Sequence, residues 1–217
     1  CLEIYKSYRK KNKSIIIGLT GGQGSGKSTI SKILKIILKK AFNLNTIIFS
    51  IDDFYKTRKD REIMSKRISP LFKTRGVPGT HDTQLILDCM KNLNKSKFKN
   101  FFIPKFDKSK DDRHPQKKWQ KISKKAEIII FEGWCVGAKP QKNKDLKVPV
   151  NILEKERDKK GIWRKYVNNE LKTNYKKIFK YINKNIFLKV PNFKYVFKWR
   201  LLQEKKLIAS STGKRTM

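Results

Sequence analysis

The residues best suited to chemistry come early. Gly21-Gly22-Gln23-Gly24-Ser25-Gly26-Lys27-Ser28-Thr29 places four glycines within six positions ahead of a lysine and a hydroxyl. Glycines at that density let consecutive backbone N–H groups curl round a polyphosphate without Cβ clashes, and Gly21 with Gly26-Lys27-Ser28 fits Gly-x-x-x-x-Gly-Lys-[Ser/Thr]. In such a loop Lys27 reaches the β- and γ-phosphates of ATP and Ser28 the Mg2+ ion. Three carboxylates stand at the ends of apolar runs: Asp52 and Asp53 after Thr46–Ile51, and Glu132 after Ile128–Phe131. A hydroxyl attacking a γ-phosphorus must lose its proton, which makes Asp52 the candidate base. Asp53 either serves the metal or caps the succeeding segment, and Glu132 is expected to support Mg2+.

These groups need elements to position them. Ile15–Leu19 is a β-branched run without alternation, as expected of a strand buried on both faces of a parallel sheet. Ile30, Ile33, Leu34, Ile37, Leu38 and Ala41 repeat at three and four after the loop, predicting an amphipathic helix whose N-terminus faces the phosphates. Thr46–Ile51 and Ala126–Gly133 read as further buried strands, and Asn185–Val190 as a fourth. Ligands in open α/β sheets lie at the carboxyl ends of the strands, where the acidic residues fall. The fold class is therefore α/β: a P-loop three-layer sandwich with a mainly parallel sheet and a helical lid.

Between the strands, Arg75–Asp82 is dense in turn formers, and Asp82 can cap a helix with the inward stripe Leu85, Ile86, Cys89, Met90 and Leu93. That start, with Arg75 beside it, is also a plausible anion site. Lys105, Asp107 and Arg113 lie in a segment of mixed charge suited to a small polar substrate or to a solvated loop. Trp134 and Cys135 read as packing. From about 151 to 183 the pattern is helical, through Ile162, Tyr166, Leu171, Tyr175 and Ile178. In a last helix Phe193, Val196, Phe197 and Leu201 share a face with Arg200. An inward guanidinium needs an anion: either Glu204, four residues on, or a transferring phosphoryl group over which Arg200 closes.

The 217 residues suit one α/β domain, assigned to 14–217 with lid and substrate segments at about 56–125 and 191–210, after a basic lead-in at 1–13. No apolar run reaches the ~18 residues that span a bilayer, so a soluble protein without membrane partners is expected. The net charge of +36 attracts polyanions, but its lysines are scattered from end to end, which reads as composition rather than a nucleic-acid surface. A P-loop protein that binds nucleic acid is the rival this charge keeps open. Three cysteines without a Cys-x-x-Cys argue for a reducing compartment, and two histidines argue against a zinc site. The chain opens on Cys1 rather than Met, so residues preceding it, a targeting peptide among them, are expected.

With its motifs in this order the chain resembles the glycerate kinase branch of the uridine kinase, pantothenate kinase and phosphoribulokinase group. The resemblance rests on Gly-Leu-Thr-Gly-Gly-Gln-Gly-Ser-Gly-Lys-Ser-Thr at 18–29, Ile-Asp-Asp-Phe-Tyr at 51–55 and Arg-Gly-Val-Pro-Gly-Thr-His-Asp at 75–82. It extends through Pro-Lys-Phe-Asp-Lys-Ser at 104–109 with Asp-Asp-Arg to 113, Phe-Glu-Gly-Trp at 131–134 and Trp-Arg-Leu-Leu-Gln-Glu at 199–204. It implies a kinase converting ATP and D-glycerate to ADP and 3-phosphoglycerate, with Asp52 as base and Arg200 in the lid. A monomer is expected, cytoplasmic or, with a transit peptide, plastid; Arg75, Lys105 and Arg113 are the cations available for the substrate carboxylate, and His81, Asp82 and Asp107 are further candidate substrate contacts. Uridine kinase-like and pantothenate kinase-like activities are its alternatives, though the charged 104–113 segment suits neither a stacking surface nor an apolar channel. Members of this branch continue to another helix and a final strand, so residues beyond Met217 are expected too.

Overall fold

The computed structural model describes residues 1–95 and 97–210. In chain order it forms α1 (Leu2–Lys11), β1 (Ile15–Gly21), α2 (Lys27–Phe42), β2 (Thr46–Ser50), α3 (Arg58–Arg67), α4 (Thr83–Asn94), β3 (Phe101–Ile103), β4 (Phe106–Asp107), β5 (Asp112–Arg113), β6 (Gln120–Ile122), β7 (Ile128–Gly133), α5 (Ile152–Arg157), α6 (Ile162–Glu170), α7 (Lys176–Phe179), β8 (Lys184–Leu188) and α8 (Phe193–Ser210). The chain divides into two compact units. One holds Cys1–Ser50, Lys124–Val136 and the chain from Ile182 onward; the other holds Ile51–Ser123 and Gly137–Tyr181.

The first unit is built on a parallel sheet in the order β2-β7-β1-β8. β1 pairs Ile15–Thr20 with Ile128–Gly133 on one side and Ile17–Gly21 with Lys184–Leu188 on the other. Ile15, Ile17 and Leu19 join Ile128, Ile130, Leu38 and Leu44 in one core, while Ile16, Ile129 and Phe131 are buried on the opposite face. Each such side chain contributes about 2 kcal/mol of burial, which explains strands that do not alternate.

Two expectations are corrected here, and the basic lead-in, which carried no structural expectation, forms α1: its Ile4 enters the core and its Tyr5 stacks on Phe42 at 4.5 Å. On α2 the buried positions are Ser31 and Leu38, with Ile30, Leu34 and Phe42 partly covered, whereas Ile33, Ile37 and Ala41 are exposed. A helix on one sheet face covers a narrower stripe than six apolar residues supply. On α8, Phe197 is 68% exposed and Leu201 47%, so the proposed inward face is not one. Arg200 lies within α8, but its side chain and that of Glu204 fall outside the described residues.

In the second unit Asp82 caps α4 as expected, Oδ1 accepting from Leu85 N at 3.1 Å, and Ile86, Cys89, Met90 and Leu93 are buried beneath it. Burial pushes the Cys89 thiol up to about 12, with Asp88 and Asp82 adding to the effect. The expected helix at 151–183 is interrupted. Asp158 ends α5, Gly161 (φ 69°) starts α6, and a π-helical turn, Leu171–Tyr175, separates α6 from α7. Its buried polar anchor is Arg164, which donates to Asp158 Oδ2 at 3.0 Å and to the carbonyls of Asp158 and Leu146.

Candidate active site

The phosphate-binding loop lies in the first unit. β1 runs into the loop, and the left-handed Gly24 (φ 75°) and Gly26 (φ 81°) turn the chain into α2. Gly26 is the N-cap, so the amides of Lys27, Ser28 and Thr29 open the helix without intrahelical acceptors, the position from which helix amides meet an anion. Gly21 and Gly22 are required by packing. A Cβ on Gly21 would stand 2.9 Å from Leu188 Cβ and 3.0 Å from its carbonyl oxygen, and one on Gly22 would meet Val196 at 3.1 Å. Gln23, Gly24 and Thr29 are exposed, and Ser25 is partly covered with its hydroxyl buried and unpaired. Lys27 Nζ donates to the carbonyls of Gly21 (3.0 Å) and Gly22 (2.8 Å), folded over the loop it would help fill.

Glu132, 8% exposed at the end of β7, accepts from Ser28 Oγ at 2.8 Å on one oxygen and from Ser31 Oγ at 3.1 Å on the other. Ser31 was missed in the sequence, although it lies three residues after Ser28 and so shares its helix face. Hard oxygen donors side by side suit Mg2+, which keeps several waters and takes few protein ligands alongside phosphate. Among the described residues no cluster of three or more His, Cys, Asp or Glu forms a cation cage. Trp134, expected to pack, is 42% exposed; its carbonyl accepts from Thr20 Oγ1.

The candidate base and its neighbours lie in the second unit. Asp52 and Asp53 occupy a 3-10 turn, Ile51–Phe54, directly after β2. Asp52 Oδ1 accepts from Tyr55 Oη at 3.1 Å and Oδ2 from Lys108 Nζ at 3.0 Å. Asp53 accepts from Lys105 Nζ at 2.9 Å and from Phe106 N at 3.4 Å. Lys108 and Tyr55 were not among the expected site residues, though Tyr55 stands three positions after Asp52, one 3-10 turn away.

The cations expected around one substrate pocket are each held by an aspartate. Arg75 pairs with Asp111, Lys105 with Asp53, and Arg113 with Asp82 at 3.1 Å while also donating to Tyr55 O. A cavity of about 320 Å³ beside Arg75 is lined by Arg58, Glu62, Lys73, Thr74 and Asp111, and by neither Lys105 nor Arg113. Burial pushes the Asp111 carboxyl up, but hydrogen bonds and charge from Arg61 and Arg75 outweigh it and hold it below its ordinary value. Asp107 shapes the β4–β5 hairpin by accepting from Ser109 Oγ, Ser109 N and Lys110 N, and the Ser109 hydroxyl above all lowers its pKa.

His81, expected to touch substrate, is instead fully buried. It forms a β-bridge with Tyr55 and stacks on its ring, and burial drives its pKa down to about 3. Apolar neighbours and an antiparallel bridge hold it in the interior, so it offers no surface to a ligand.

Residues 16–173 match the phosphoribulokinase / uridine kinase family. The chain belongs to that family. This family member is a P-loop small-molecule kinase that uses ATP, and its fold is a central parallel sheet flanked by helices. It is 33% identical to an uncharacterised kinase of Schizosaccharomyces pombe, mug58, over 94% of this chain and 75% of that one. It is 34% identical to the probable ATP-dependent kinase TDA10 of Saccharomyces cerevisiae, over 92% and 70%. Identity to the chloroplastic D-glycerate 3-kinase of Arabidopsis thaliana is 28% over 88% of this chain, which spans 41% of that protein. By fold, this kinase aligns with a D-glycerate 3-kinase from Cryptococcus neoformans at a TM-score of 0.80, 24% identity and coverage of 98% and 79%. Among the described residues of this family member, no helix is long and apolar enough to cross a membrane.

Proposed function

We propose that the chain phosphorylates a small hydroxy acid, D-glycerate, to 3-phosphoglycerate. The observation that carries this reading is the Asp52–Lys108 pair, which sets a proton acceptor 3.0 Å from a lysine whose side chain is 63% exposed. A carboxylate can take the proton of an attacking hydroxyl, and a cation beside it can receive the carboxylate of the same short molecule. The match to the Arabidopsis D-glycerate 3-kinase, which takes in 88% of this chain, supports D-glycerate as the substrate.

The chain's residues divide the work. The loop amides of 21–28 and Lys27 bind the β- and γ-phosphates of ATP. Ser28 and Glu132 would hold Mg2+, which when bound offsets phosphate charge; Asp53, engaged by Lys105 and Phe106 N, shapes the turn that presents Asp52. Asp52 accepts the proton from the acceptor hydroxyl, and Lys105 and Lys108 exchange their aspartate partners for the incoming carboxylate. Arg200, on α8, is the proposed lid cation. The enzyme acts as a monomer, and its +36 charge favours anionic substrates without requiring a nucleic-acid partner.

Asp52→Asn tests the assignment. ATP affinity measured by calorimetry should stay within about twofold, while turnover with D-glycerate falls by about a hundredfold or more. Retention of most of the turnover would remove Asp52 from the role of base.

A further inference from the structure

We infer that a buried pair, Tyr175 and His81, acts through Tyr55 to hold the carboxylate of Asp52 in its working orientation, so that Tyr55, His81 and Tyr175 are positioning residues of the transfer reaction. The inference rests on the reading of Asp52 as base.

The arrangement starts with a break in regular structure. The π-helical turn at Leu171–Tyr175 adds one residue to the helix, rotating the residues beyond it by about 100° relative to an unbroken α-helix. π turns are rare and concentrate at functional sites. This one ends on Tyr175, whose side chain is fully buried. Tyr175 Oη accepts from Gly79 N at 3.0 Å and lies 2.6 Å from His81 Nδ1. The amide donates to the hydroxyl, and the hydroxyl shares a second hydrogen bond with Nδ1 whose direction follows the imidazole tautomer; Nε2 has no hydrogen-bond partner. A fully buried imidazole with an unsatisfied nitrogen is costly to keep, and packing alone would be served by an apolar ring.

What the pair supports is Tyr55. The His81 ring stacks on Tyr55 with centroids 4.4 Å apart and planes 20° apart, the two backbones form a bridge, and Phe106 meets the Tyr55 ring edge-on at 5.3 Å. A ring held in this way has one place for its hydroxyl, and it donates to Asp52 Oδ1 at 3.1 Å. Lys108 takes the other oxygen, but its side chain is 63% exposed and is free to turn to a substrate carboxylate. Tyr55, 4% exposed, stays behind and fixes the orientation of the Asp52 carboxylate. The charges that face this assembly are Lys108 on the hairpin loop and, against His81, Asp52 itself and Lys56. Since burial keeps His81 neutral down to about pH 3, the relay does not titrate near neutrality.

The test compares Tyr55→Phe, Tyr175→Phe and Asp52→Asn with the parent chain, using ATP and D-glycerate. Tyr55→Phe keeps the stacked ring and removes only the hydroxyl. Its kcat should fall about tenfold, its KM for ATP should stay within about twofold, and the acid limb of its kcat profile should move to higher pH, because the charged form of Asp52 has lost a hydrogen bond. Tyr175→Phe should move the same limb in the same direction. A purely structural role would lower the unfolding midpoint and leave the limb in place. If Asp52→Asn abolishes turnover while Tyr55→Phe keeps the parent kcat and acid limb, the inference is wrong and the base assignment stands. If Asp52→Asn keeps its turnover, the base assignment fails first. Should Tyr175→Phe not fold, Tyr55→Phe decides alone.

Discussion

The hydroxyl of Ser28 donates to Glu132 Oε1 at 2.8 Å, although 104 residues separate them in the chain. Parallel pairing of β1 with β7 in the register Leu19 to Glu132 brings them together, with Ser31 taking the other carboxylate oxygen. Glu132→Gln removes the charge and preserves the shape. Turnover should fall by about a hundredfold, and calorimetry should show nucleotide affinity reduced with Mg2+ present and unchanged in chelator. Equal loss in both conditions would assign Glu132 to the loop's structure rather than to the metal.

Arg61 is the largest polar group wholly inside the second unit, donating to the carbonyls of Lys56 (3.3 Å), Lys73 (2.7 Å) and Asp111 (2.6 Å) and to Asp111 Oδ2 (2.9 Å). Arg75, which shares Asp111, is part-exposed. Arg61→Met should destabilise by about 3–5 kcal/mol, since three carbonyls and a carboxylate lose their donor, while Arg75→Met should cost less than about 1 kcal/mol. Urea unfolding of the two variants checks the difference, and equal effects would contradict it.

His81 makes stability depend on pH with a definite sign. Its pKa falls from 6.5 to about 3 on folding, mainly through burial, so below 6.5 the unfolded chain binds a proton that the folded one refuses. Stability is therefore lost as pH falls, and this residue alone should remove about 2 kcal/mol between pH 7 and pH 5. The lowered carboxylates Asp107 and Asp111 act below that window. Urea unfolding at the two pH values should show the loss in the parent chain and not in His81→Gln.

Sequence patterns exposed what local physics controls and missed what tertiary contacts decide. β1 and β7 were legible because strands buried on both faces must be apolar throughout, β2 because its apolar run is unbroken although Ile47 and Ile48 are only part-buried, and the loop because only glycine fits its turns. The cap at Asp82 was legible from its side-chain chemistry alone. Arg61 and Arg164 were not, since no local pattern distinguishes a buried arginine from the exposed cations that crowd this sequence. The pairing of Arg75, Lys105 and Arg113 with aspartates escaped for the same reason: ion-pair partners come from other turns of the chain. The π turn before α7 hid because one extra residue leaves the apolar spacing nearly helical, and the exposed Phe197 and Leu201 show that periodicity identifies a stripe without saying what covers it.

Transfer of a phosphoryl group from ATP to D-glycerate is the reaction on which these roles converge. The most direct measurement offers the protein ATP, Mg2+ and an equimolar mixture of D-glycerate, pantothenate, uridine and ribulose 5-phosphate, and follows the products by phosphorus NMR. 3-Phosphoglycerate should be the dominant product, formed in step with ADP. Accumulation of a different phosphate ester, or ADP release with no ester formed, would contradict this assignment.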